Sequence, residues 1–131
     1  MRLLLDTHIW IWSLNQPEKL SPSVVAALEN SDNEFWLSPL SVWEILLLVE
    51  RKRLGEIISA EEWLERTLAM GNWKEAPVTH RVAREAGRLR LQQRDPIDRL
   101  LAATAIVYGL TLVTADEYLL AAPGLKTLAN R

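Results

Sequence analysis

Short apolar runs alternate with longer segments of helical spacing along this 131-residue chain, and this alternation constrains its fold more than any other feature. The clearest runs are residues 3–5 and Thr111–Thr114, and Gly109 before the second run predicts a helix end. Short apolar runs of this kind are typical of buried strands in parallel sheets. Three further strands are predicted at Glu34–Leu37, 75–78 and 125–128, the last as an edge strand.

The segments between these runs carry the start signals of helices. Ser21 before Pro22 and Asp95 before Pro96 each pair a capping side chain with a proline that suits the first turn. Helices are predicted over residues 22–30, 40–53, 60–70, 80–89 and 96–108, with a shorter one after Thr114. Strands that alternate with helices predict an α/β fold, a three-layer α/β/α sandwich around a mainly parallel sheet of four to five strands. Right-handed crossovers then bring the strand carboxyl ends to one edge, where ligand sites of open parallel sheets lie.

The composition is that of one globular domain over residues 1–131, because 49% of the residues are apolar and 24% are charged. The absence of cysteine excludes a thiolate metal site and a cysteine nucleophile, and it fits a reducing compartment. Asp6 interrupts the amino-terminal apolar run too early for a signal peptide, and no apolar stretch could span a membrane. We therefore expect a cytoplasmic protein without membrane association. The net charge of −2 still allows an enzyme whose acidic site neighbours a basic path.

Four acids follow predicted strands and should meet at the same edge of the sheet. Asp6 comes directly after the first strand, and Glu44 lies near the start of the helix after the second. Asp98 lies in the first turn of a later helix, and Asp116 follows the last clear strand. Carboxylates that converge in this way repel one another unless a cation neutralises them. An all-oxygen ligand set suits Mg²⁺ or Mn²⁺, which can activate water for phosphodiester hydrolysis. The pattern therefore predicts a divalent-metal site.

Acids at helix starts also have structural explanations. Asp98 could complement a helix dipole, and residues 41–44 and 114–117 have the spacing of capping boxes. Asp6 is the exception, because no capping role is predicted for it at the end of a buried strand. The recurrence of acids after several strands, more than any one acid, favours the metal site.

Four motifs spread along the chain carry a resemblance to a known family. They read LLDTH at 4–8, SPLSVWEI at 38–45, RDPIDRLLA at 94–102 and LVTAD at 112–116. In this order they resemble the PIN domains of VapC-type toxins. The resemblance implies an α/β/α sandwich and a Mg²⁺- or Mn²⁺-dependent endoribonuclease, the toxin of a type II toxin–antitoxin pair. It also implies a homodimer and a small antitoxin protein that inhibits the toxin at its active-site groove.

Carried over residue by residue, the resemblance assigns the main catalytic and metal-binding acids to Asp6, Glu44 and Asp98, with Asp116 as the fourth. Thr114 matches a position that supports the site by hydrogen bonding. For Asp95 we favour a helix cap over a water-mediated metal contact. The remaining supporting residues, ranked below the acids, are Thr7 and Ser41, which could orient neighbouring carboxylates.

Arginines near the last long helices form the best candidate for an RNA-backbone path, although a solvated helix face explains them about as well. They are Arg81, Arg84 and Arg88 on one helix face, with Arg90, Arg94 and Arg99 close in sequence. His8 is expected to point away from Asp6. Trp10 and Trp12 are expected to pack in the core or at an interface, more than to stack on bases. The alternative to the nuclease is a PIN-like RNA- or protein-binding module with little or no nuclease activity.

Overall fold

A computed structural model describes residues 1–50, 59–92 and 94–131. Its sheet has five strands in the order β3-β2-β1-β4-β5, and every pairing between neighbours is parallel. The strands are β1 (Arg2–Leu5), β2 (Glu34–Leu37), β3 (Trp73–Glu75), β4 (Thr111–Thr114) and β5 (Thr127–Ala129). The predicted parallel sheet is confirmed.

Helices cover both faces of this sheet. They are α1 (Thr7–Asn15), α2 (Pro22–Glu29), α3 (Pro39–Glu50), α4 (Ala60–Met70), α5 (His80–Arg88), α6 (Pro96–Tyr108) and α7 (Glu117–Leu120), with a 3₁₀ turn at Pro17–Lys19. Side chains alternate along β1, so Leu3 and Leu5 pack in a core with residues of α1 to α4, while Leu4 packs with residues of α6 and α7. The α/β/α sandwich is therefore confirmed. Among the described helices, none has the length and apolar character needed to cross a membrane.

The central position of β1 decides where a site can form. The chain builds β1, β2 and β3 towards one edge of the sheet and then returns to add β4 and β5 on the other side of β1. The strand order thus reverses between β1 and β4, and ligands in open parallel sheets bind at such a switch point. Asp6 follows β1, Ser38 follows β2, and Thr114 ends β4.

Local signals set several element ends as predicted. The Asp95 side chain accepts a hydrogen bond from the Ile97 backbone N–H at 2.9 Å, and α6 begins at Pro96. The same helix ends before Gly109, whose φ of 65° is the left-handed conformation that suits glycine. The bounds of β2 and β4 also agree with the predicted runs.

Two strands lie at other residues than predicted, and several helix bounds differ by one residue. The third strand occupies Trp73–Glu75 and not 75–78, because Pro77 has no N–H for the ladder and the Trp73 ring packs edge-on against Phe35, with ring centroids 6.2 Å apart. The fifth strand is Thr127–Ala129 and not 125–128, since its register pairs Leu112 with Thr127. The helix predicted over 40–53 begins at Pro39, and residues 51–53 lie outside the described residues.

Candidate active site

Asp6 is held at the carboxyl end of β1 by two hydrogen bonds, one to each carboxylate oxygen. Oδ1 accepts from the Thr7 backbone N–H at 2.7 Å, and Oδ2 accepts from the Thr114 hydroxyl at 2.6 Å. Only 9% of the residue is exposed, and this burial raises the pKa of the carboxyl although the Thr114 hydrogen bond opposes the shift. Asp6 also caps α1, so the expectation that it has no capping role was wrong.

Thr114 joins Asp6 to Asp116. Its buried hydroxyl donates to Asp6 and accepts a hydrogen bond from the Asp116 backbone N–H at 3.0 Å. The Asp116 carboxylate in turn caps α7 by accepting from the backbone N–H groups of Tyr118 and Leu119 at 2.9 and 3.1 Å. Asp116, and not Thr114, therefore caps this helix, which corrects the capping box predicted at 114–117.

Glu44 reaches the site from α3. The Ser38 hydroxyl accepts from the Leu40 backbone N–H at 3.0 Å and so caps the helix, whereas Ser41 is buried and accepts from the Thr7 hydroxyl at 2.9 Å. The capping box predicted at 41–44 was thus wrong. Burial raises the pKa of Glu44, a hydrogen bond from Thr7 opposes the shift, and the charge of Asp6 adds to it. Thr7 therefore links α1 to α3 at the site.

Asp98 is a further acid of the site whose pKa is raised. It lies in the first turn of α6. Burial raises its pKa to about 8, and the negative charges of four further acids contribute to the rise. In order of their effect, these acids are Asp6, Asp95, Glu44 and Asp116. The predicted acids therefore act on one another electrostatically, and Asp98 holds a proton near neutral pH when no cation is present.

A cleft of about 410 Å³ brings the acids together. It is lined by Asp6, His8, Ile9, Trp12, Glu44, Asp95, Asp98, Ala115 and Asp116. We call it the acid cleft. Asp95 therefore both caps α6 and faces the cleft.

His8 also lines the acid cleft, so the expectation that it points away from Asp6 was wrong. Its ring lies 5.7 Å from the Trp12 ring, one helical turn further along α1. The four-residue spacing of these two residues on one helix is the sequence signal that could have placed Trp12 in the cleft. Trp10, by contrast, is fully buried in the core as expected.

Comparison with known proteins identifies the family. A family model for the PIN domain matches residues 3–125. The chain belongs to the PIN-domain family. Ribonuclease VapC22 of Mycobacterium tuberculosis is 34% identical over 118 residues, which cover 89% of this chain and 88% of that protein.

Solved structures share the fold of this PIN domain. VapBC2 from Rickettsia felis, solved with a DNA fragment from its promoter, matches with a TM-score of 0.75 at 20% identity over 98% of both chains. VapBC-5 from Mycobacterium tuberculosis, a member of the VapBC family of toxin–antitoxin systems, matches with a TM-score of 0.58 at 22% identity, covering 99% of this chain and 98% of that one. At these identities the likeness concerns the fold alone.

The acid cleft of the PIN domain fits a hard divalent cation by its chemistry. Among residues 1–50, 59–92 and 94–131, no three Asp, Glu or His side chains are already arranged as a metal-binding cluster. Mg²⁺ does not require such a cluster, because it keeps several waters and is often held by one or two carboxylates. The donors that face the cleft are mainly carboxylate oxygens, and their mutual repulsion at Asp98 is what a cation would relieve.

The predicted RNA-binding arginines lie outside the lining of the acid cleft. Arg81, Arg84 and Arg88 are exposed on α5, which packs on α6 through apolar residues. Arg99 is half-buried, and its guanidinium donates to the backbone carbonyls of Ala86 and Leu89 at 2.9 Å each. Arg99 therefore fixes the end of α5 against α6, a structural role that the sequence did not indicate.

Proposed function

We propose that this PIN domain is a Mg²⁺- or Mn²⁺-dependent endoribonuclease, the toxin of a type II toxin–antitoxin pair, with residues 1–131 forming a single domain. The observation that carries the proposal is the convergence of five carboxylates on one cleft at the switch point of the sheet. The 34% identical relative named as a ribonuclease supports the same reaction.

Four acids share the binding of the cation in this proposal. Asp6, Glu44, Asp98 and Asp116 hold the cation, which when bound lowers the pKa of a water and stabilises the charge that develops on the phosphate. Asp6 is fixed in advance by its two hydrogen bonds, so it needs no reorganisation to bind. Asp98 must release its proton as the cation binds, because its pKa lies at about 8 without one.

The supporting residues position these acids. Thr114 orients Asp6 and Asp116 through its two hydrogen bonds, and Thr7 with Ser41 orients Glu44 on α3. Such partners of metal-binding carboxylates usually affect activity strongly. Asp95 caps α6 and acts on the cation by its charge alone. Arg81, Arg84 and Arg88 provide an exposed basic face on which the RNA backbone can lie.

The partners follow from the same proposal. The solved structures of similar fold include a member of the VapBC family of toxin–antitoxin systems, which supports a small antitoxin protein as partner, and we propose that this partner covers the acid cleft. The toxin would form a homodimer, and its RNA substrate would place it in the cytoplasm.

The test is cleavage of RNA by the purified, partner-free protein with Mg²⁺ or Mn²⁺ and with EDTA. We expect metal-dependent cleavage that Asp6→Asn abolishes, because asparagine keeps the size of the side chain and removes a charged ligand. Asp32→Asn, which changes an exposed acid outside the cleft, is the matched control. Full activity of Asp6→Asn would exclude the metal site. A chain that neither cleaves RNA nor gains stability from Mg²⁺ would instead be a binding module.

A further inference from the structure

A second cleft, of about 810 Å³, differs in charge from the acid cleft. It is lined by Leu91, Gln92, Arg94, Arg99 and Tyr118. We call it the basic cleft, because arginines and no acids are among its described lining residues. Its volume lies within the range of about 300–1,000 Å³ that is usual for small-molecule sites.

The basic cleft and the acid cleft are neighbours along two segments of the chain. Arg94 directly precedes Asp95, and Arg99 directly follows Asp98, so the first turn of α6 contributes to both clefts. Tyr118 lies two residues after Asp116, and the Asp116 carboxylate accepts a hydrogen bond from the Tyr118 backbone N–H at 2.9 Å. The acids and the basic cleft are therefore held in a fixed relation by short covalent and hydrogen-bonded connections.

The wall of the basic cleft is built by Arg99. Besides its bonds to Ala86 and Leu89, its guanidinium donates to the Leu91 carbonyl at 3.5 Å, and these bonds hold the segment after α5. Three lining residues are accessible on this framework, since Gln92 and Arg94 are exposed and 54% of Tyr118 is exposed. A large aromatic side chain left open beside a cationic side chain is the combination that binds single-stranded nucleic acid.

We propose that the basic cleft binds one nucleotide of single-stranded RNA beside the phosphodiester to be cut, with the base stacked on Tyr118 and a phosphate paired with Arg94. This inference rests on the function proposed above. The charge distribution supports it, because the acidic residues of the neighbouring cleft repel an RNA strand and a cationic contact beside them helps to hold the strand in place. Tyr118 and Arg94 are positioning residues in this scheme, and the acids keep the cation-binding roles proposed above.

The experiment measures the fluorescence anisotropy of a short fluorescein-labelled single-stranded RNA of randomised sequence, titrated with protein in which Asp6→Asn prevents cleavage. In that background, Tyr118→Ala should weaken binding by about fivefold or more, whereas Tyr118→Phe keeps the aromatic face and should bind within about twofold of the parent. Arg94→Ala should weaken binding and reduce its dependence on salt. Arg66→Ala on α4, in the opposite helical layer, removes the same charge and should have little effect.

The outcomes separate this inference from the proposed function. If the parent binds RNA and the wild-type chain cleaves it, but Tyr118→Ala binds as tightly as Tyr118→Phe, the basic cleft is not a nucleotide site. Equal weakening by Arg94→Ala and Arg66→Ala would also overturn it, because binding would then depend on net charge alone. If the wild-type chain neither binds nor cleaves RNA, the proposed function fails and this subsite fails with it. Thermal unfolding of each variant checks that the fold is intact.

Discussion

The Thr114 hydroxyl lies between two acids of the cleft and hydrogen-bonds to both residues. Thr114→Val keeps the shape of the side chain but leaves the buried Asp6 carboxylate and the Asp116 N–H without this partner. Loss of such buried hydrogen bonds typically costs about 1–3 kcal/mol of stability. Cleavage should fall by about tenfold or more, because residues that orient metal-binding carboxylates have effects of this size.

The control for this prediction is Thr114→Ser, which restores the hydroxyl and removes only a methyl group. We expect it to recover most of the cleavage rate, while Thr114→Val does not. Urea unfolding and cleavage rates at saturating Mg²⁺ would be measured for both variants. A wild-type cleavage rate in Thr114→Val would show that Asp6 and Asp116 do not depend on this hydroxyl.

Sequence reasoning at the level of single residues succeeded where the signal is local. Asp6 and Thr114 each end or directly follow a buried strand, and the chain alone shows this. The contact between Thr7 and Ser41 could not be predicted, because it depends on how α1 packs beside α3 across 34 residues of sequence. The hydrogen bonds from Arg99 to the backbone carbonyls of Ala86 and Leu89 could not be predicted for the same reason.

At the scale of elements, the start of α6 combines a structural and an electrostatic task at Asp95. Its side chain caps the helix, and its charge raises the pKa of Asp98. Asp95→Asn should unfold with nearly wild-type free energy, because asparagine caps helices about as well as aspartate, whereas Asp95→Ala should lose about 1 kcal/mol. Cleavage by Asp95→Asn should stay within about threefold of wild type, because we assign it no direct metal contact.

Chemical denaturation and cleavage assays of both Asp95 variants separate the two tasks. If Asp95→Asn lost as much activity as Asp6→Asn while remaining folded, Asp95 would be a principal ligand and not a cap. If Asp95→Ala were as stable as the wild type, the cap would contribute nothing to α6.

Elements were predictable from sequence where caps and breakers mark their ends. Pro96 and Gly109 delimit α6 in this way. The third strand was misplaced because the deciding interactions are not local. Trp73 packs on Phe35 of the neighbouring strand β2. The backbone N–H of Ala76, the residue after β3, donates to the carbonyl of Leu37 at the end of β2 at 2.9 Å. The hydrophobic pattern around residues 75–78 does not contain these contacts.

On the scale of the whole molecule, the acid cleft makes stability depend on pH. The folded chain holds a proton on Asp98 with a pKa of about 8, whereas an unfolded aspartate has a value near 3.8. Between these values the folded state binds more protons than the unfolded state, so the free energy of unfolding falls as the pH rises through this window. The raised pKa values of Asp6 and Glu44 act in the same direction. Without metal, the protein should therefore be less stable at pH 8 than at pH 5 on account of this cleft.

The electrostatic repulsion among the acids of the acid cleft also predicts how Mg²⁺ affects unfolding. A cation that binds the folded state at about 100 times its dissociation constant adds about 2.7 kcal/mol, roughly 10 °C for a domain of this size. Because protons compete for the carboxylates, this increase in Tm should be much smaller at pH 5 than at pH 8.

Asp98→Asn should raise the Tm at pH 8 in EDTA and reduce the response to Mg²⁺. Glu65→Gln, an exposed acid on α4, should change neither. Thermal unfolding at both pH values tests this, and a lower Tm for Asp98→Asn in EDTA would mean that Asp98 stabilises the fold and is not held there for binding a cation.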